Sequence, residues 1–353
     1  MTTELIDVGL VGFGFAGRTF HAPVITAVEG LRLSGVVQRT GADAADLFPG
    51  VQVVGSLDDL LTIRSIRLVV IATPNTSHIE LARQCLLAGR DVVIDKPFTT
   101  TYAEAAELVR MAKDRGRLLS VYQNRRWDGD FKTVHDLIGT GALGKVVRFE
   151  SRFDRFRPQL RTGAWREQEL PGSGILFDLG PHLIDQALVL FGEPQALYAD
   201  VRAERERAVV DDAFDLTLHY PGMRALLGAT MLALKPGPRF VIEGPKASYI
   251  KFGLDPQEDA LKTKARPTGS GWGQEPREAW GRLYRSDGQT RIEEIVPTQP
   301  GDYRGYYENV RDTILGKADL AVTPEQALRV MRTIELAMQS SREWRVVPYA
   351  VSP

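Results

Sequence analysis

The sequence predicts an α/β protein built from two units: an N-terminal doubly wound parallel sheet, then a C-terminal α+β unit with an open, largely antiparallel sheet. Three observations carry this prediction. The chain has 353 residues, more than a single domain usually holds and suited to two. Apolar runs alternate with helically spaced segments as far as residue 123. Beyond residue 127 the apolar runs follow one another without regular helices between them.

The first run, residues 6–11, ends in glycines, and similar runs stand at 31–37, 68–72, 92–94 and 118–121. Short, continuous apolar runs bounded by turn residues fit strands buried on both faces. Residues 77–88 and 102–113 have helical spacing and are closed by Gly89 and Gly116. This alternation implies right-handed crossovers with helices on both sides of a parallel sheet. A helix at 130–138 then leads into a strand at 146–153, and further strands are expected at 214–220, 225–232 and 240–243. Residues 255–276, rich in Gly, Pro, Lys and Gln, read as a long loop, and 306–315 and 324–343 as closing helices. The expected division is 1–123 and 124–353.

Composition narrows the function classes. With 43% hydrophobic and 25% charged residues the chain is an ordinary globular one, and 44 basic against 45 acidic residues give a net charge of −1. A nucleic-acid partner held by a globally basic surface is therefore not expected. The single cysteine, Cys85, excludes an internal disulfide framework and a structural zinc site built on several cysteines, and its apolar neighbours point to core packing. No metal site is expected. The start of the chain lacks a basic leader region, and no stretch approaches the ~20 apolar residues needed to span a bilayer, so the expectation is a cytoplasmic protein without a membrane partner.

Directly after the first strand stands Gly12-Phe13-Gly14-Phe15-Ala16-Gly17, opening a helix. The first glycine allows a tight turn, the second lets the backbone approach a pyrophosphate, and the third lets helix and strand pack closely. In this context the motif predicts dinucleotide binding. The second strand ends at Gln38-Arg39-Thr40, with no acid to hold a ribose 2′-hydroxyl. Arg39 and Thr40 could instead hold a 2′-phosphate, so NADP(H) is expected ahead of NAD(H).

At the carboxyl ends of the next two strands lie Thr73-Pro74-Asn75 with His78, and Asp95-Lys96. Ligands of open α/β sheets bind at that edge, which makes these residues candidates for the nicotinamide and its substrate. In the second unit, Asp178 and His182 are four residues apart, with Pro181 marking the more plausible start of the regular helix. A histidine with its ordinary pKa of about 6.5 is suited to exchanging a hydroxyl proton at neutral pH. Read as structure alone, Asp178 is a capping acid and His182 an interior histidine.

Together GFGFAG, the turn at 72–78, Asp95-Lys96-Pro97 and the stretch 178–185 resemble the Gfo/Idh/MocA family of NAD(P)-dependent oxidoreductases across essentially the whole chain. The resemblance implies a Rossmann domain followed by an α/β domain whose open sheet forms the substrate floor, with a homodimer or homotetramer assembled through that sheet. It also implies that Lys96 contacts the substrate hydroxyl, His182 accepts its proton, and Asp178 is the charged partner of His182. Asp95 departs from the family's usual Glu before Lys-Pro, so contacts assigned to that acid are in question.

GFGFAGRTFHAP, the stretch 124–128 and the stretch 153–158 are similar to a bacterial subgroup that includes NADP-dependent scyllo-inositol dehydrogenases. That similarity implies a polyol, cyclitol or sugar substrate. Asn124, Arg125, Arg155 and Trp165 become candidate substrate contacts, since guanidinium groups supply several fixed donors and an aromatic ring can wall a sugar. Trp127 is equally suited to a core. Two alternatives stand beside a dehydrogenase: a glycosidase with permanently bound NAD(P) acting by transient oxidation and elimination, and a non-catalytic nucleotide-sensing regulator.

Overall fold

The computed structural model describes residues 4–41, 43–161, 163 and 165–349. They form two units. The first runs to Trp127 and takes back Gln257–Trp272 and Asp302–Leu328; the second comprises Asp128–Pro256, Gly273–Gly301 and the chain from Arg329 on.

The first unit holds six strands, β1 (Ile6–Val11), β2 (Leu31–Val37), β3 (Gln52–Val54), β4 (Ile66–Ile71), β5 (Asp91–Ile94) and β6 (Leu119–Val121), in the order β3-β2-β1-β4-β5-β6. Every pairing is parallel. All six residues of β1 are buried, as a strand covered on both faces requires. Connections run outward from β1 on one side and from β4 on the other, so the sheet reverses its winding between them.

The helices of this part are α1 (Ala22–Ile25), α2 (Asp43–Leu47), α3 (Leu57–Thr62), α4 (His78–Leu87) and α5 (Tyr102–Arg115). A wide π-type turn, Gly17–His21, precedes α1, where the sequence suggested a regular helix opening straight after the glycines. A reciprocal cap starts α5: Thr101 accepts from the Glu104 amide, and Glu104 accepts from the Thr101 amide. Gly116, at φ 58°, closes it. Cys85 on α4 is fully buried, and burial pushes its thiol up to about 12, in keeping with a packing role.

In the second unit α6 (Gly129–Gly139), α7 (Ile175–Asp178) and α8 (Gly180–Phe191) accompany nine strands. These are β7 (Arg148–Arg152), β8 (Ala196–Arg202), β9 (Ala213–Tyr220), β10 (Met223–Thr230), β11 (Phe240–Glu243), β12 (Ser248–Lys251), β13 (Gly281–Ser286), β14 (Arg291–Val296) and β15 (Val347–Pro348). Their order is β14-β13-β12-β11-β7-β10-β9-β8-β15, antiparallel except for the β7–β10 pair. Along β9 the even positions Phe214, Leu216, Leu218 and Tyr220 are buried, while Asp215, Thr217 and His219 are half-buried on the other face. Phe149 anchors the core face against Phe191 and Phe240, at ring separations of 5.2 and 5.8 Å.

Two expectations need correction. Residues 255–276 are not one loop: α9 (Gln257–Lys262) forms there, started after Pro256 and supported by a Glu258–Lys262 pair at 2.6 Å. The chain also does not change unit once, near residue 123. It returns because α9, α10 (Arg304–Ile314) and the start of α11 (Pro324–Glu343) cover the first sheet, where Leu261, Tyr303, Tyr306, Tyr307, Val310 and Val322 join its apolar core. Trp127 packs against that same core, 5.6 Å from the Tyr306 ring. No helix among the described residues is long and apolar enough to cross a membrane.

The returning segment is tied to β6 by a buried chain of donors: Ser120 Oγ donates to the Val322 carbonyl at 2.8 Å, and the Tyr306 hydroxyl lies 2.9 Å from the same Oγ. Ser120→Ala strands both partners in an apolar site. It is expected to destabilise the protein by about 1–3 kcal/mol, read by urea unfolding against wild type.

Candidate active site

The glycine turn lies at the carboxyl end of β1, beside the winding reversal. Gly12 sits at φ 97°, and a Cβ there would come within 2.8 Å of the Ala72 carbonyl oxygen. At Gly17 a Cβ would stand 2.0 Å from the Gly12 oxygen, so neither position accepts another residue. Gly14 differs: a Cβ built on it meets nothing within 4 Å, which leaves open space against exposed backbone. That open cradle fits a dinucleotide pyrophosphate. Phe13 turns its ring into the core, edge-on to Phe48, so its backbone alone is on offer, whereas Phe15 is 64% exposed and Ala16 half-buried.

At the end of β2, Gln38 is drawn into its own loop. Its Nε2 donates to Asp43 and to the Thr40 carbonyl (2.9 Å), and its Oε1 accepts from the Ala44 amide at 3.2 Å. Asp43 in turn pairs with Arg18, whose guanidinium lies 5.2 Å from the Phe13 ring centroid. The acid missing from the end of β2 is thus supplied five residues later, and an arginine from beside the glycine turn neutralises it. Arg39 and Thr40 are exposed. The sequence reading missed Arg18 and Asp43; the signals were an arginine directly after the glycine motif and an acid opening α2.

The loops after β4 and β5 are pinned together. His78 is 1% exposed, with Nδ1 at 3.0 and 3.3 Å from the Pro97 and Phe98 carbonyls and Nε2 at 3.0 Å from the Thr73 carbonyl. Burial lowers its pKa against the opposing pull of Asp95. His78 therefore locks these loops together. Thr73 is half-buried, its hydroxyl 2.7 Å from that of Ser77; Pro74 is exposed and Asn75 is 2% exposed.

Asp95 accepts the Lys96 amide on Oδ1 at 2.8 Å, and its own amide donates to the Ile71 carbonyl. Burial would raise this carboxyl, but the His21 imidazole and the charge of Lys96 outweigh it and hold the group below the usual carboxylate range. Lys96, half-buried, is presented at the carboxyl end of β5 by a fixed backbone.

Also in the first unit, Asn124 is half-buried in a 3₁₀ turn, while Arg125 is 6% exposed and engaged by Glu258. Arg125 thus ties this turn to α9.

In the second unit, α7 ends at Asp178 and α8 opens at Gly180-Pro181, with Leu179 as the joint. The helical run from Asp178 to His182 is thus broken between them, as Pro181 suggested. Asp178 lies 3.3 Å from Arg166 Nε, and the Arg166 guanidinium stacks 4.5 Å from the Trp165 ring. His182 is 5% exposed on the buried first turn of α8. The start of α7 is held by Asp211, which the sequence reading missed. Its Oδ2 accepts the Leu176 amide at 2.8 Å and its carbonyl accepts that of Ile175 at 2.9 Å. Gly174, at φ 90°, makes room for it, since a Cβ there would stand 2.0 Å from Oδ1. Arg155 is half-buried on a backbone tied to Thr230 and Ala233.

A family model for the NAD-binding Rossmann fold of the Gfo/Idh/MocA oxidoreductases matches residues 6–123, and one for their C-terminal alpha/beta domain matches residues 135–350. The chain is 45% identical to the uncharacterized oxidoreductase YdgJ of Escherichia coli over 340 residues, 96% of this chain and 97% of that one. It is 39% identical to the scyllo-inositol 2-dehydrogenase (NADP(+)) IolW of Bacillus subtilis, covering 98% and 96%. Among solved structures, the Bacillus subtilis protein yvaA superposes with a TM-score of 0.95 at 38% identity, covering 99% of both chains.

The Asp211 cap has a consequence for stability. Burial pushes this carboxyl up to about 6 from an ordinary 3.8, more than the amides of Leu176 and Ile175 can offset. Between those values the folded protein keeps a proton that the unfolded chain releases. This group's contribution to stability is fully present below about pH 4 and is lost as pH rises through about 6, by at most about 3 kcal/mol. Asp211→Asn keeps an acceptor for Leu176 and removes this titration, so urea unfolding at pH 5 and 7.5 is expected to show about half of that fall in wild type and a correspondingly smaller change in the variant.

Proposed function

Because the chain belongs to the Gfo/Idh/MocA oxidoreductase family, we propose that it is an NADP-linked dehydrogenase acting on a hydroxyl-bearing carbon of a cyclitol or sugar. The observation that carries this reading is Lys96, held by the Asp95 carboxylate at the carboxyl end of β5 in the same sheet as the Gly14 cradle. The likeness to IolW over nearly the full length of both chains supports the substrate class.

When bound, NADP+ supplies the hydride acceptor. Gly12, Gly14 and Gly17 bring backbone to its pyrophosphate. His182 takes the proton from the substrate hydroxyl, Asp178 stabilises the imidazolium that results, and the Lys96 ammonium stabilises the charge developing on oxygen. Arg166, 3.3 Å from Asp178, keeps that carboxylate oriented. Around the 2′ position Arg39 and Arg18 offer guanidinium groups to a phosphate, against the opposing carboxylate of Asp43.

The first test is a screen of inositol isomers, aldoses and sugar acids with NADP+ and NAD+, followed by absorbance of the reduced cofactor. NADP+ reduction by a cyclitol is expected. Lys96→Ala and His182→Ala should each lower turnover ~10²- to 10⁴-fold. Near-normal turnover in both variants, or net hydrolysis of an aryl glycoside with the cofactor returned unchanged, would sink the reading.

The second test concerns cofactor choice. Arg39→Ala is expected to weaken NADP+ binding at least tenfold in calorimetric titration while leaving NAD+ binding within twofold. Unchanged NADP+ affinity would refute NADP preference through this residue.

A further inference from the structure

Beneath Lys96 lies a group of buried residues with no part in the chemistry described above. His21, fully buried on the turn before α1, has its Nδ1 2.6 Å from the Tyr307 hydroxyl of α10. Its Nε2 faces Asp95 Oδ1 at 3.6 Å. The ring lies against Tyr122 with centroids 4.3 Å apart and planes tilted by 40°, and Tyr307 meets it edge-on at 6.3 Å; Tyr306 in turn packs edge-to-face on Tyr122. The Tyr122 hydroxyl donates to the Phe20 carbonyl next door in sequence, at 3.0 Å, which fixes the turn that carries His21.

The proton positions follow from the surroundings. Tyr307 is fully buried, and burial lifts its phenol well above the ordinary value, so the hydroxyl keeps its proton; the arrangement that suits the nearby carboxylate has this hydroxyl donating to Nδ1. The ring proton is then on Nε2, pointing at the carboxylate. The opposite tautomer would set a nitrogen lone pair against that carboxylate. The same Oδ1 that His21 faces accepts the Lys96 amide. Pro97, which follows, has no amide of its own to anchor the loop.

We propose that His21 is a positioning residue for the reaction: supported by Tyr307, it holds the Asp95 carboxylate, and through it the backbone of Lys96. This rests on the functional reading given to Lys96 above. His21 touches neither substrate nor cofactor in this role. The charged or titratable groups facing Asp95 are His21, Lys96, His78, Tyr306 and Tyr307, and those around His21 are Asp95, Tyr122 and Tyr307.

The test uses the full chain and three variants. Tyr307→Phe removes one hydroxyl from the core, His21→Phe removes the imidazole N–H that faces Asp95 at 3.6 Å, and His21→Gln restores a polar N–H of similar reach. Hydrogen exchange at the Lys96 amide, read by NMR without substrate, is expected to quicken at least tenfold in both Phe variants relative to the amide of Val93. Exchange should return to within threefold of wild type in His21→Gln.

With the substrate found in the screen, both Phe variants should lose at least tenfold in kcat with NADP+ affinity within twofold. In His21→Gln kcat should recover to within threefold of wild type, in step with the Lys96 exchange. Unchanged Lys96 exchange in both Phe variants overturns the proposal, as does a loss of kcat that His21→Gln fails to recover, the signature of simple core damage. Faster exchange in a protein whose wild type oxidises no polyol would overturn the reading of the reaction and leave the anchoring of Lys96 standing.

Discussion

A carboxylate buried at the end of a parallel strand has to be matched by donors, and much of the first unit is arranged around that requirement at Asp95. Its oxygens meet the Lys96 amide from its own loop and face His21 from the turn after β1. His21 in turn needs Tyr307, which comes from the part of the chain that returns after residue 302. The discontinuity of the first unit is therefore more than packing. It brings the phenol that bonds the histidine beneath the Lys96 loop, and the aromatic group of Tyr122, Tyr306 and Tyr307 excludes the water that would otherwise compete for these groups.

The second unit meets its buried charges differently, by pairing each within a short reach. Arg205 and Asp212, both nearly inaccessible, pair at 2.7 Å. Arg239 lies between Phe153 and Phe240, its guanidinium 4.0 Å from both rings, and donates to Gln186 at 2.7 Å. On the opposite face of the sheet Arg152 and Arg202 share Asp215. Gly228 is small enough to admit that network: a Cβ there would come within 2.5 Å of Arg152. These pairs fix side chains relative to the sheet more than they add net stability, since the desolvation of each charge offsets most of its attraction.

What was legible in the sequence was what is local. The glycine turn, the strands that follow one another in the first sheet, and the Asp178–His182 stretch depend on residues within about twenty positions of each other. So does the hairpin of β13 and β14, whose Asp287-Gly288 turn, with Gly288 at φ 94°, was a readable signal. It escaped because β14 is almost wholly exposed and shows no apolar alternation. The pairing of His21 with Tyr307 spans 286 residues, and nothing in the spacing of either announces the other. Asp43 and Asp211 were hidden for a related reason. Each acts through a loop that folds back on the site, and an acid near a turn has many ordinary explanations.

Asp95 and Asp211 show how neighbours decide the outcome of burial. Burial opposes the charge of both. Around Asp95 an imidazole and an ammonium overcome that opposition, whereas Asp211 has backbone amides in front and a like charge, Asp212, beside it. At neutral pH both are ionised, but Asp211 is ionised against its surroundings. The strain of that charge falls on the first turn of α7, the turn that sets where Asp178 ends and α8 begins. Lys96 thus follows a carboxylate whose charge its neighbours favour, while the α7 turn that ends at Asp178 is capped by one whose charge burial opposes. Local opening in the second unit should accordingly begin at α7, and a ligand that contacts Asp178 or His182 would oppose it.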